Sequence, residues 1–251
     1  MASLVLMYHN VVRDKENLDI YDVSLDSFIG QMEVISRREY KMNAPLDIII
    51  TFDDGYKSWA EEVLDILRKL GLTAYFFVSI EFIRRGMISK EEIIRLNDNG
   101  MVIGSHGVFH RFFFNLSNED LFYELGESKK ILEDILGKEV IYFSVPRGIY
   151  NKKLEKIAQD VGYRRIFTSL VGINDKDDFV VKRVPVKSYT SLSDFKKILD
   201  GKIKFIAFSQ NLKDKAKVIL GINSYNYLRT LFTPGGCNEG VKKVDKWYGY
   251  S

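Results

Sequence analysis

Ile48-Ile49-Ile50-Thr51-Phe52-Asp53-Asp54-Gly55-Tyr56 is the stretch that decides how this chain folds. Three branched apolar residues followed by threonine and an aromatic predict a strand buried on both faces, as in a parallel sheet. Two adjacent carboxylates then fall at the C-terminal tip of that strand, just before a glycine turn. A second stretch has the same design: the apolar run Met101-Val102-Ile103 leads into Ser105-His106-Gly107-Val108-Phe109-His110, with two imidazoles separated by three residues. One carboxylate and two imidazoles make an N/N/O donor set for a divalent ion with positions left open for water and substrate, as a catalytic site requires. The second carboxylate is then available as a base.

Outward from these stretches, apolar strands alternate with amphipathic helices, which predicts parallel strands joined by helical crossovers. The fold class is α/β, a (β/α) barrel that is distorted or incomplete, with seven or eight strands. Strands are expected over Leu4 to Tyr8, Ile48 to Phe52, Thr73 to Val78, Met101 to Ser105, Val140 to Ser144 and Arg164 to Ser169. Helices are expected behind Ser24, from Trp59 to a stop at Gly71, behind the capping-box sequence Ser89-Lys90-Glu91-Glu92, from Asn118 to a stop at Gly137, and from Lys152 to Val161. Chemistry-bearing residues follow strands, at the end where such barrels place their active sites. Residues 1–200 read as the catalytic barrel and residues 201–251 as a strand and helix extension packed on it, ending in a loose tail.

With 251 residues, 46% of them hydrophobic and 28% charged, the chain has the make-up of one large folded domain. A net charge of +3, with Lys and Arg scattered among Asp and Glu, gives no electrostatic support for nucleic-acid binding. The single cysteine, Cys237, excludes an internal disulfide and a cysteine-based zinc site. The first residues carry no basic leader and no stretch reaches transmembrane length, so the chain as written is expected in the cytoplasm, or outside it if a leader has been removed. Basic residues flank an apolar, aromatic face over residues 212–232, which admits membrane-surface contact as an alternative to packing on the barrel. Oligomeric state leaves no sign in the sequence.

The pairing of Thr51-Phe52-Asp53-Asp54-Gly55 with His106-x-x-x-His110 closely resembles the polysaccharide deacetylase family, over roughly Leu4 to Val186 by order and spacing of motifs. The resemblance implies that Asp53 is the general base, that Asp54, His106 and His110 bind the metal, and that an N-acetylated glycan containing N-acetylglucosamine is the substrate. The family's Pro-aromatic-Gly turn is matched in part by Pro146-Arg147-Gly148, implying an oxyanion-binding backbone N–H there, with Arg147 in place of the aromatic wall. Permuted members begin with a strand ending in Tyr-His, which Tyr8-His9 resembles. The chain has three histidines, and with two on the metal, His9 is the candidate general acid; the alternative is a histidine capping the first strand.

Zinc is the first expectation for the ion, with cobalt, nickel or iron also compatible with these donors. Non-haem iron oxygenases use a two-histidine, one-carboxylate set too, but a second carboxylate beside the ligand suits hydrolysis better. Arg147 and Arg183 could each pair with Asp53 and keep it ionised, bind an anionic group of the glycan, or be structural. Tyr56 and Trp59 could line a sugar subsite, although Trp59 shares helical spacing with Val63 and Ile66 and so reads first as core. Two other functions stay open: a deacylase of another small amide on the same scaffold, and a glycan-binding protein without turnover.

Overall fold

The structure, a computed structural model, describes residues 2–14, 16, 18–40, 46–209, 212 and 215. The chain runs β1 (Ala2–Tyr8), β2 (Asn10–Val12), β3 (Asp22–Ser24), α1 (Leu25–Ser36), β4 (Leu46–Asp54), a π-helical turn (Trp59–Val63) leading into α2 (Leu64–Lys69), β5 (Ala74–Val78), α3 (Ile80–Arg84) and α4 (Lys90–Asp98). It continues through β6 (Val102–Ser105), α5 (Asn118–Leu136), β7 (Tyr142–Ser144), α6 (Lys152–Asp160), β8 (Arg165–Phe167), β9 (Val180–Val181), β10 (Val184–Pro185) and α7 (Leu192–Leu199). Eight strands form one curled parallel sheet in the order β10-β1-β4-β5-β6-β7-β8-β9, while β2 and β3 pair separately. Its two edge strands are not hydrogen-bonded to each other, so this is a distorted, incomplete (β/α) barrel.

Helix boundaries follow from local chemistry. Ser89 and Glu92 close both bonds of the capping box at the start of α4, and Ser117 caps α5, which Gly137 ends in a left-handed conformation. The expected Trp59 helix differs at its start, where the first turn is π-helical. There the buried Trp59 indole packs on Phe52 and Phe76 and donates to the His9 carbonyl at 2.7 Å, so it is a core residue that also ties down the end of β1.

Strand alternation divides the apolar residues into two layers. One face of the sheet, with Leu4, Leu6, Tyr8, Ile50, Phe52, Phe76 and Ile103, packs in the larger cluster with the helices. The other face contributes a smaller cluster of Val5, Phe77, Phe167 and Val181. Gly104 makes that second layer possible, because a Cβ there would lie 2.5 Å from the Phe77 ring and 2.9 Å from the Tyr142 carbonyl. Phe77 therefore fills the inner side of the sheet and becomes the floor beneath the polar residues at the strand ends.

Register places those ends together. Tyr8 pairs with Phe52, Asp54 with Val78, Val78 with Ser105, and Ser144 with Phe167. One residue beyond the Tyr8 and Phe52 pair come His9 and Asp53, at the C-terminal edge of the sheet. Residues 1–207 form one compact unit and residues 208–251 a second. Residues 204–209 are helical, with Phe205 and Phe208 exposed. Most of the expected extension, including Cys237 and most of residues 212–232, lies outside the described residues. No helix among the described residues is long and apolar enough to cross a membrane.

Candidate active site

Asp53, Asp54, His106 and His110 are all buried at the C-terminal edge of the sheet. Asp54 ends β4 with φ of +92°, a conformation rare for any residue but glycine, which breaks the strand alternation. Its Oδ1 lies 3.3 Å from His106 Nε2 and 3.2 Å from His110 Nε2. That oxygen is out of solvent and accepts no hydrogen bond of proper geometry. Donor atoms sharing an ion at about 2.0–2.1 Å, with angles between octahedral and tetrahedral, stand about 2.8–3.4 Å apart. The spacing fits a divalent ion. Among the described residues, Asp54, His106 and His110 are the cluster able to hold one.

The imidazoles are aimed by their surroundings. His106 Nδ1 lies 2.8 Å from the Ser144 carbonyl, which can only accept, so Nδ1 carries the hydrogen and Nε2 faces Asp54. His110 reaches the same oxygen from a backbone with φ of +54°. Burial pushes the His106 imidazole down, but the charges of Asp53 and Asp54 outweigh it and leave its pKa above the usual value. For His110 burial prevails and the pKa falls, with the nearby charges of His106 and Arg147 adding to the effect. Burial also pushes Asp54 upward, yet the two histidines holding its carboxylate bring it well below the ordinary range.

Asp53 has a different environment. Arg183, also fully buried, grips it from two sides: Nη1 donates to Oδ1 at 2.7 Å and Nη2 to Oδ2 at 2.8 Å. The guanidinium is itself fixed by the Thr168 carbonyl, the Thr51 hydroxyl and the Ser144 hydroxyl, and its carbon sits 5.8 Å from the centre of the Phe77 ring. Burial raises the Asp53 pKa, but the Arg183 charge, followed by His106 and the Arg183 hydrogen bonds, carries it below the usual value. Asp53 is thus ionised and separate from the Asp54 cluster, as a base requires.

The other expected residues fall around this centre. His9 is partly exposed, with its Nδ1 buried and without a hydrogen-bond partner, and its ring packs against Tyr21 at 4.5 Å. Burial lowers its pKa, and the charges of Asp54, Asp53, Arg183 and His106 all act on it. Pro146, Arg147 and Gly148 form a tight turn directly after β7, with Arg147 and Gly148 both at positive φ, +60° and +72°. Tyr56 stands one ring further out, edge-on to Phe82, which contacts the His110 ring.

Residues 42–166, about half the chain, match the polysaccharide deacetylase family. The chain belongs to that family. The chain is 30% identical over 131 residues to the peptidoglycan-N-acetylmuramic acid deacetylase of Bacillus subtilis, covering 51% of this chain and 49% of that protein. It is 32% identical over 123 residues to a peptidoglycan-N-acetylglucosamine deacetylase of Bacillus cereus, covering 49% of this chain and 56% of the relative. The chain thus spans about half the length of the curated relatives it matches.

Among solved structures, a Bacillus cereus polysaccharide deacetylase superimposes with a TM-score of 0.67 at 25% identity, over 78% of this chain and 68% of the other. A Streptococcus pyogenes deacetylase solved with acetate superimposes with a TM-score of 0.69 over 77% of this chain and 96% of the other. At 21% identity, that superposition is a likeness of fold alone.

Two residues of the site escape a reading by motif. Ser144 serves both halves of the centre: its carbonyl orients His106 and its hydroxyl lies between Asp53 and Arg183, 3.1 Å from the former. Its position at the end of a strand, like the other site residues, was the available signal. Glu124 is fully buried on α5 beneath the histidine loop. A carboxylate sharing helical spacing with Leu121, Leu125 and Ser128 marks a charge on the buried face.

Proposed function

We propose that this chain is a metal-dependent hydrolase that removes N-acetyl groups from N-acetylglucosamine-containing glycans. The observation that carries the reading is the buried Asp54 oxygen flanked by two imidazole nitrogens, with a second carboxylate beside it locked on Arg183. The motif set and the family membership support the same reaction.

Asp54, His106 and His110 would hold the ion, which when bound supplies a Lewis acid that activates water and polarises the acetyl oxygen. Asp53 then takes the proton from the water as its oxygen bonds to the acetyl carbon, and Arg183 keeps the carboxylate charged and oriented for that transfer. The backbone N–H at Arg147, in the turn after β7, is the assigned donor to the developing oxyanion. As the carbon–nitrogen bond breaks, His9 gives a proton to the sugar nitrogen, and acetate and the free amine leave. Zinc is the proposed ion, since one carboxylate and two imidazoles suit it, with cobalt, nickel and iron as competitors.

The test is metal analysis of the purified protein together with acetate release from chitin fragments, peptidoglycan and poly-N-acetylglucosamine with defined added metals. Asp54→Ala, His106→Ala and His110→Ala should each lose bound metal and acetate release while the circular dichroism spectrum is kept. Stoichiometric metal in all three variants refutes the assignment.

A further inference from the structure

The backbone between the two histidines is held on every side. His106 N–H donates to the Val78 carbonyl at 2.9 Å and Gly107 N–H to the Ser105 hydroxyl at 3.2 Å. The Gly107 and Val108 carbonyls accept from Ile80 and Glu81 at 3.1 and 2.8 Å. The remaining two N–H groups, of Val108 and Phe109, both donate to Glu124 Oε2, at 2.7 and 3.1 Å. Glu124 is fully buried, its Oε1 accepts no hydrogen bond, and its counter-charge is Arg111, whose Nε lies 3.5 Å from Oε1. The loop sits directly on this carboxylate: a Cβ at Gly107, where φ is +81°, would come within 3.1 Å of Oε2 and 3.0 Å of the Phe113 ring.

A buried charge is costly, and two neutral N–H donors could have been satisfied by water or by a smaller polar group. What this side chain adds is one oxygen, at the reach of a two-methylene stem, accepting two successive N–H groups, which fixes the direction of the peptide planes just before His110. That histidine adopts a strained left-handed backbone, and its Nε2 must still meet Asp54 beside His106. The anchor is firm because α5 is tied to β6 through the Ser105–Ser128 hydroxyl pair at 2.7 Å, one helical turn beyond Glu124.

We infer that Glu124 is a positioning residue for the metal centre: by holding the Val108 and Phe109 N–H groups it sets the separation of the His106 and His110 nitrogens and so the affinity for the ion. This rests on the metal site proposed above. Partners that orient metal ligands typically change affinity by about 10- to 100-fold when removed.

The test uses metal-free protein and zinc alone, titrated in competition with a chromogenic chelator, with thermal unfolding of the metal-free protein as the second measurement. Glu124→Ala should bind zinc about 10- to 100-fold more weakly than wild type. Glu124→Gln, whose amide oxygen can still accept from both N–H groups, should bind nearly as tightly as wild type even where its unfolding temperature changes. Should Glu124→Ala not fold, Glu124→Asp carries the test, because it keeps the charge but withdraws the acceptor by one methylene and should bind more weakly than Glu124→Gln. Wild-type affinity in folded Glu124→Ala, or a Gln variant as weak as the Ala or Asp variant, overturns the inference. His110→Ala separates the two levels of the argument. If it loses zinc while Glu124→Ala does not, only the role of Glu124 fails; if wild type itself binds no zinc, the metal reading fails and takes this one with it.

Discussion

Replacing Arg183 by methionine isolates the interaction on which the proposed base depends. Methionine fills much of the aliphatic volume but leaves the Asp53 carboxylate, 2% exposed, without its counter-ion. Both bridging bonds are short and the pair is shielded from water, so the loss falls in the range for an orphaned buried charge, about 3–5 kcal/mol. For a chain of this size that corresponds to a fall in Tm on the order of 6–20 °C. The double variant Asp53→Asn, Arg183→Met removes the stranded charge and should recover on the order of 2 kcal/mol relative to Arg183→Met alone.

The effect also has a defined pH dependence. In wild type the Asp53 pKa lies below the unfolded value, so the pairing stabilises the fold above the unfolded carboxylate pKa of about 3.9 and is lost as pH falls through the lower folded value. Without Arg183 its strongest opposing charge is gone, burial pushes the pKa upward, and the carboxylate destabilises the fold until it is protonated. The gap between the two proteins should therefore narrow as pH is lowered from 7 towards 4. Urea unfolding of the metal-free proteins at both ends of that window measures it. An Arg183→Met cost under about 1 kcal/mol, or a double variant no more stable than the single one, would refute the reasoning.

Asp53→Asn should retain zinc, because Asp53 lies outside the ligand cluster, yet lose about 10²- to 10⁴-fold in acetate release; turnover close to wild type would remove its role as base. His9→Ala should bind zinc normally and lose a comparable factor on unactivated acetamides but far less on an activated aryl acetate, whose leaving group needs no proton. Equal losses on both substrates would make His9 structural. Gly148→Ala should lower stability by about 3 kcal/mol or more, because the new Cβ would fall 1.6 Å from the Ser169 hydroxyl at a φ of +72°. Ser169→Gly in the same chain should recover part of that loss in a thermal melt.

What could be read from the sequence was whatever local chemistry determines. Ser24, Gly137 and the Ser89 and Glu92 pair mark helix ends because each satisfies backbone groups within a few residues of itself. The metal-site candidates were legible because each follows an apolar run long enough to be seen as a strand. Ser144 and Glu124 were not, since one acts through contacts to residues 38 to 91 positions away and the other through backbone groups about 15 residues away in sequence.

Arg183 could be read only as one of three alternatives, and its place in the fold explains why. It lies between β9 and β10, strands of two residues each, too short to show any alternation. Those strands are the opposite edges of the sheet, β9 bonded to β8 and β10 to β1, and just Lys182 and Arg183 join them. The seam of the barrel is therefore closed by the chain itself rather than by a ladder of hydrogen bonds. Asn174 stitches one side of it, bonding Ser3 on β1 and both backbone groups of Lys182. Arg183 stitches the other, its backbone N–H on the Leu170 carbonyl and its side chain crossing the interior to Asp53 on β4. The residue that keeps the proposed base ionised is thus also a tie across the open edge, so one ion pair links the proposed base on β4 to the seam of this incomplete barrel.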